Sequence, residues 1–400
     1  MSLKALIKRT KLYYPAAMLK STYKDTLKIL WFRICRLFPV DNNKVVCSSF
    51  LGKSYSAEPL KVTDELIRQN MSIEIIWVLS DGIEHSKYVK TVKPNSYKHY
   101  FELATAGIWV DNCRKPCWIK KRDGQLYIQT WHGAVYIKAV EKDAQTTLHP
   151  FYKKSGIADS RNADFLVMEA AWREDSIRDC FWYSGELIKG EFKSVALIDK
   201  DGANSRVRGT LGIDADKHIM LYVPTFRNDK TTKHYLKQFD IVLDQLSKCW
   251  GGNWVAVLRL HPNISEKASE ILYNDQIING TSYPSIDDLI ATCDLLISDY
   301  SGCIFYGFRA KKRVILYTED LDEYLNSERH LYFKLEQLPA PYARSTDELL
   351  AIIQGFDDAA YEFERDRFVA SLGYYEADAA KICADIIKKR IESLRTKEMK

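Results

Sequence analysis

The 400-residue chain contains no Cys-x-x-Cys pair, and its nine cysteines, at 35, 47, 113, 117, 180, 249, 293, 303 and 383, are odd in number. A disulfide ladder is thereby excluded, and reduced thiols are expected. Glycine (18) and proline (11) are sparse, which rules out a collagenous or low-complexity chain. Neither GxGxxG nor GxxxxGK[ST] occurs, and there is no GxSxG elbow and no HExxH. Dinucleotide-dependent oxidoreductases, P-loop NTPases, α/β-hydrolases and zincins therefore lose their signatures. The eight histidines are dispersed and Cys113 with Cys117 has no matching second pair, so no metal site is expected. In the first forty residues no apolar run approaches the ~20 residues needed to span a bilayer, and no cleavable apolar segment follows.

What is present is a globular composition, 46% hydrophobic and 28% charged, at a length that favours two domains. The net charge of +5 is unevenly placed. Residues 1–40 hold nine Lys or Arg against Asp25 alone, and the remaining 360 residues sum to −3. Positive charge is not spread over a folded face, so a nucleic-acid groove is not expected. In the N-terminal segment Lys4, Lys8, Arg9, Lys11, Lys20, Lys24, Lys28, Arg33 and Arg36 interleave with Leu, Ile, Tyr, Trp31 and Phe32 at roughly helical spacing. That is a basic amphipathic segment suited to an anionic membrane surface, where each basic residue contributes about 1 kcal/mol. The competing reading packs the same helix on its own domain, with its Lys stems lying over apolar surface.

From residue 44 strands and helices alternate. KVVCSS, IEIIWVL, GIWVDN, LYIQT, DFLVM and GELIKG read as strands, with helical runs near 58–70, 96–106 and 170–182. These short apolar runs lack polar alternation, as parallel strands buried on both faces do. The polar DKDGANSRVRG then reads as a linker, after which HIMLYVP, WVAVLRLHP, CDLLISDYS and RVILYT alternate with helices near 236–250, 285–292 and 301–310. Residues 345–398 read as helical throughout, and the terminal helix is expected to cross back onto the first domain. The expectation is an α/β protein with two Rossmann-like, doubly wound domains facing a cleft. Its parts are a basic segment at 1–40, a first domain at 41–195, a second at 196–370 and a C-terminal helix at 371–400.

Ligands of such sheets sit at the carboxyl ends of the strands. Four strand ends carry polar candidates: His132 and Gly133 after LYIQT, Thr225 and Arg227 after HIMLYVP, Arg259 and His261 at WVAVLRL, and Asp299, Ser301 and Gly302 after DLLIS. One such histidine alone would more often be structural, and convergence of four ends raises its weight. Ser301 and Gly302 would open a helix N-terminus, which either caps the helix or faces a phosphate. Arg227 and Arg259 can fork onto diphosphate oxygens without a metal.

QTWHG at 129–133, VPTFRND at 223–229, LRLHP at 258–262 and SDYSG at 298–302, followed by KKRVILYTEDLDEY, resemble in order and spacing the CDP-glycerol glycerophosphotransferases of teichoic acid and capsule synthesis. FWYSGELIKG at 181–190 is similar too, so the resemblance covers about residues 44–380. It implies a GT-B-like transferase that moves a polyol phosphate from CDP-glycerol, or CDP-ribitol, to a hydroxyl of a lipid-linked glycan or polymer, releasing CMP without a cofactor. It further implies a peripheral place on the cytoplasmic face of the plasma membrane. The family's two essential histidines match His132 and His261, and its donor contacts map to Trp131, His132, Gly133, Pro224, Thr225, Arg259, His261, Ser301 and Gly302. Three positions depart from the family pattern. GEFKS at 190–194 has Lys193 where Arg is usual, Gly302 stands in place of a second Ser, and Tyr306 replaces a carboxylate.

The implied chemistry is attack of an acceptor hydroxyl on the β-phosphorus, with His132 as base and His261 as phosphate partner; the sequence leaves the reverse assignment open. A GT-B glycosyltransferase using a nucleotide sugar and a non-catalytic binder are the rival readings.

Overall fold

A computed structural model describes residues 25–398 apart from Asp81, Glu84, residues 228–231 and Glu328. Residues 1–24, the larger part of the basic segment, lie outside the described residues.

The first sheet is built from β1 (Asp41–Ser48), β2 (Glu74–Val78), β3 (Val89–Val92), β4 (Ala106–Asp111), β5 (Leu126–Gln129), β6 (Phe165–Met168) and β7 (Glu186–Lys189). Its order is β3-β2-β1-β4-β5-β6-β7, parallel throughout. The second uses β8 (Lys217–Val223), β9 (Asn253–Leu258), β10 (Ile277–Asn279), β11 (Leu295–Ser298), β12 (Arg313–Tyr317) and β13 (Tyr342–Ala343), in the order β10-β9-β8-β11-β12-β13, again parallel. β4 and β5 are buried at every position, which is why their sequences show no polar alternation. Strand order reverses between β1 and β4 in one sheet and between β8 and β11 in the other. At those switch points Ser48 lies opposite Asp111 and Val223 opposite Ser298, so the loops that follow leave each sheet side by side.

Two sequence expectations are corrected. DKDGANSRVRG is not a linker: Lys200–Leu211 is a helix whose Asp199 side chain accepts from the Gly202 amide and whose C-cap Gly212 is left-handed at φ 67°. Only Ala203 and Val207 of it are buried, too few to show in the sequence pattern. The helical run expected over 170–182 is instead two short pieces, Ala171–Arg173 and Ile177–Cys180.

Helix Ala379–Glu398 does return to the first domain. Ala379, Cys383, Ala384, Ile387 and Ile391 join Val45, Val62, Leu66 and Ile108 in one apolar cluster. At the other end of the chain, residues 25–35 are helical. Phe32 and Cys35 are buried in a first-domain cluster, the Trp31 indole N–H donates to the Tyr97 carbonyl at 2.8 Å, and Phe32 meets Tyr100 and Trp118 edge-on. The part of the basic segment from residue 25 onward thus packs on its own domain. Its outer side leaves Leu30, Ile34, Leu37 and Phe38 exposed beside Arg33.

Candidate functional site

The loops after β1, β4 and β5 meet around His132. Its imidazole lies edge-on to Phe50 at 5.7 Å and stacks on Trp131 at 4.5 Å. His132 Nδ1 is 2.7 Å from the Asn112 carbonyl oxygen. A carbonyl only accepts, so Nδ1 carries the proton and the neutral ring keeps its lone pair on Nε2. Asn112, fully buried, is fixed in turn: Oδ1 accepts from the Phe50 amide, and Nδ2 donates to Ser49 Oγ and Glu58 Oε2. The backbone here departs from ordinary geometry. Phe50, Leu51 and Trp131 have φ of 47°, 60° and 57°, a left-handed region that costs each non-glycine residue of order 1 kcal/mol or more. Strain gathered in two loops around one histidine is typical of a functional site.

In the second domain His261 follows β9, half-buried against Phe226 with ring centroids 4.5 Å apart. Burial pushes its pKa down to about 4, and the positive charges of Lys138, Lys53 and Arg259 push the same way. His261 is therefore neutral at pH 7 inside a positive field contributed by both domains. Arg259, half-buried, donates to the Tyr283 carbonyl. No carboxylate lies within ion-pair distance of it among the described residues. Ser301 is half-buried and Gly302 exposed at the turn into the helix Cys303–Arg309. The Thr225 hydroxyl is buried without a hydrogen-bond partner among the described residues, which suits a ligand contact.

Other expected site residues are placed differently. Arg227 does not present its fork to a ligand: Nε donates to Asp320 Oδ2 at 2.6 Å, Nη2 to Asp320 Oδ1 at 2.9 Å, and Nη1 to the Thr225 carbonyl at 2.7 Å. Asp299, 2% exposed, accepts from the amides of Thr225 and Tyr300 and pairs with Arg227 at 3.1 Å. Both residues lie beneath the site and shape the loop after β8. Pro224 and Trp131 are also buried. Lys193 pairs with Glu191 at 3.2 Å, a carboxylate that Arg309 shares. Three Asp-x-Asp triplets occur, at 199–201, 214–216 and 320–322. In the first Asp199 caps a helix, and in the third Asp320 takes the Arg227 fork while Asp322 pairs with Arg344.

Asn112, Phe50, Lys53 and Lys138 were missed by the sequence reading. Asn112 closes a strand that had been recognised, so the strand-end rule applied to GIWVDN finds it. The others lie in loops whose course only the fold reveals.

Among solved structures the chain is similar to the wall teichoic acid polymerase TagF, with a TM-score of 0.78 at 26% identity over 96% of this chain and 99% of that one. The teichoic acid poly(glycerol phosphate) polymerase of Bacillus spizizenii is 27% identical over 381 residues, 91% of this chain and 94% of the relative. The teichoic acid glycerol-phosphate transferase of Staphylococcus aureus is 26% identical over 394 residues, 93% of this chain and 100% of the relative. The chain spans only 47% of the length of the poly(glycerol phosphate) polymerase of Bacillus subtilis. Residues 30–388 match the family model of CDP-glycerol:poly(glycerophosphate) glycerophosphotransferases, and the chain belongs to that family.

Proposed function

We propose that the chain transfers glycerol phosphate from CDP-glycerol to a hydroxyl of a lipid-linked glycan or polymer, releasing CMP, in teichoic acid synthesis. The observation that carries this reading is His132, whose Nδ1 is held by the Asn112 carbonyl so that Nε2 keeps its lone pair, together with a neutral His261 in a positive field contributed by both domains. The acceptor hydroxyl gives its proton to His132 Nε2 as its oxygen bonds to the β-phosphorus. The bond from that phosphorus to the bridging oxygen breaks, and CMP leaves with the bridging oxygen. Neutral His261 donates a hydrogen bond to the diphosphate, and Arg259 meets the charge that spreads over its oxygens. The test is incubation of the full chain with CDP-glycerol and a lipid-linked acceptor analogue. CMP release and an acceptor heavier by one glycerol phosphate are expected; no transfer from CDP-glycerol, with a sugar added to the acceptor in a parallel incubation with nucleotide sugars, would replace this reading with glycosyl transfer.

Peripheral attachment to an anionic membrane belongs to the same proposal. Among the described residues no helix is long and apolar enough to cross a membrane. The exposed Leu30, Ile34, Leu37 and Phe38 beside Arg33 instead have the composition of an interfacial face. The full chain is expected to sediment with vesicles containing phosphatidylglycerol. Sedimentation should weaken between 0.1 and 1 M salt, as the screening length falls from about 10 Å to roughly 3 Å. Deletion of residues 2–24 combined with Leu37→Glu and Phe38→Glu should reduce it severalfold, and unchanged pelleting would sink the idea. Deletion through residue 38 is unsuitable, because Phe32 and Cys35 belong to the core.

A further inference from the structure

Arg227 is committed to Asp320 and Lys193 to Glu191, so of the expected cationic donor contacts only Arg259 is without a carboxylate partner among the described residues. The first domain supplies a second cation. After His132, and before it returns to its own sheet at β6, the chain runs as a strap over the second domain. The Tyr332 amide donates to the Ile137 carbonyl at 2.8 Å, the Ala139 amide donates to the His330 carbonyl at 2.9 Å, and Lys138 forms an antiparallel bridge with Leu331. Earlier in the strap, the Val135 carbonyl oxygen lies 3.5 Å from where a Cβ on Gly302 would sit, so the strap covers the Ser301–Cys303 turn. The first-domain end of the strap is held as well, by the Trp172 indole N–H donating to the Ala134 carbonyl at 3.2 Å.

We propose that Lys138 is a diphosphate-binding residue, carried from the first domain to the turn after β11, so that the two domains hold the donor's diphosphate jointly. The proposal rests on the transfer reading above and adds a residue to its donor site. Its support is the strap's fixed course and the charge environment. Lys138 is the foremost of the positive charges acting on His261, and it also acts on the Cys303 thiol. Its positive charge is thus felt both at the end of β9, which carries Arg259 and His261, and at the helix that follows β11, which Ser301 and Gly302 precede. An ammonium meets phosphate oxygens as a point charge and would complement the Arg259 fork.

The test is calorimetric titration of the full chain with CDP and, separately, with cytidine, for wild type, Lys138→Met and Lys138→Arg. Methionine keeps the stem and removes the charge. A charge-assisted hydrogen bond is worth about 1.5–3 kcal/mol, so Lys138→Met should weaken CDP binding by about 10-fold or more and leave cytidine binding unchanged. Lys138→Arg should recover much of the loss. Equal CDP affinity in wild type and Lys138→Met overturns the proposal, as does an equal loss for CDP and cytidine, which would mark a collapsed site. Should Lys138→Met fail to fold, a Lys138→Arg variant that binds CDP as wild type does, set against Lys138→Gln that does not, supports the same conclusion, and equal binding by both overturns it. A wild type that binds CDP in the expected Lys138-dependent way yet releases no CMP from CDP-glycerol overturns the transfer reading and leaves the Lys138 site standing.

Discussion

His132→Ala is expected to lower CMP release from CDP-glycerol by at least about 10²-fold, the lower end of what a positioned general base contributes. The fold should survive the change. His132 is exposed, its ring makes one hydrogen bond among the described residues, to the Asn112 carbonyl, and it rests on Trp131 and Phe50 without entering a core cluster. His132→Gln sharpens the test. A glutamine amide can still donate toward Asn112 but offers no basic nitrogen, so a base role requires the glutamine variant to be as slow as the alanine one. An anchoring role would let glutamine recover. CDP affinity should change little in either variant, because the diphosphate partners proposed above lie on the second domain and the strap. Near-wild-type CMP release by either variant, with an unaltered circular-dichroism spectrum, would remove His132 from the chemistry.

The loops that frame this histidine show why part of the site was legible in the sequence and part was not. His132, Arg259, His261, Ser301 and Gly302 follow apolar runs with no polar alternation, and the rule that ligands meet strand ends locates them from one-dimensional pattern. The same rule over-reaches at Arg227 and Asp299, which also close strands but are buried against Asp320, a residue 93 positions from Arg227. Pairing at that separation leaves no local mark. Lys138 is invisible for the opposite reason. It belongs to no strand of either sheet, and its place is set by backbone bonds to residues 330–332 in the other domain.

The fold follows the same division. The buried central strands were legible as apolar runs, whereas β3, with the sequence VKTV, and the two-residue β13 were not. These strands sit at sheet edges, where burial demands less of each side chain. Helix Lys200–Leu211 went unread because most of its surface is solvated and only two of its residues reach the interior.

Arg227→Ala is expected to destabilise the protein by about 3–5 kcal/mol, the usual cost of removing one partner from a buried ion pair. Both members are enclosed, with the side chains of Arg227 and Asp320 at 7% and 3% exposure. Burial by itself would lower the guanidinium pKa, but the bond to Asp320 and the charges of Asp299 and Asp320 outweigh it and hold Arg227 above its ordinary value. Burial likewise would raise the Asp320 carboxyl, yet Arg227 holds it below the usual range. Removing the arginine leaves two buried carboxylates, Asp299 and Asp320, without their cation. Tyr300, which bonds Asp320 at 3.1 Å and lies under the guanidinium, loses its support as well. The loss should depend on pH in a fixed direction. A carboxyl with a depressed native pKa contributes stability above its unfolded value, about 3.9, and loses it as pH falls through the native one. The gap between wild type and Arg227→Ala should accordingly be full at pH 7 and narrow below about pH 4. Arg227→Lys should restore only part of the stability, since an ammonium cannot reproduce the two parallel bonds to Asp320. Denaturant midpoints at pH 7 and at acid pH check this directly. If Arg227→Ala instead keeps the wild-type midpoint and loses only CDP affinity, the guanidinium belongs to the donor after all, and the buried pair is not what holds the loop after β8.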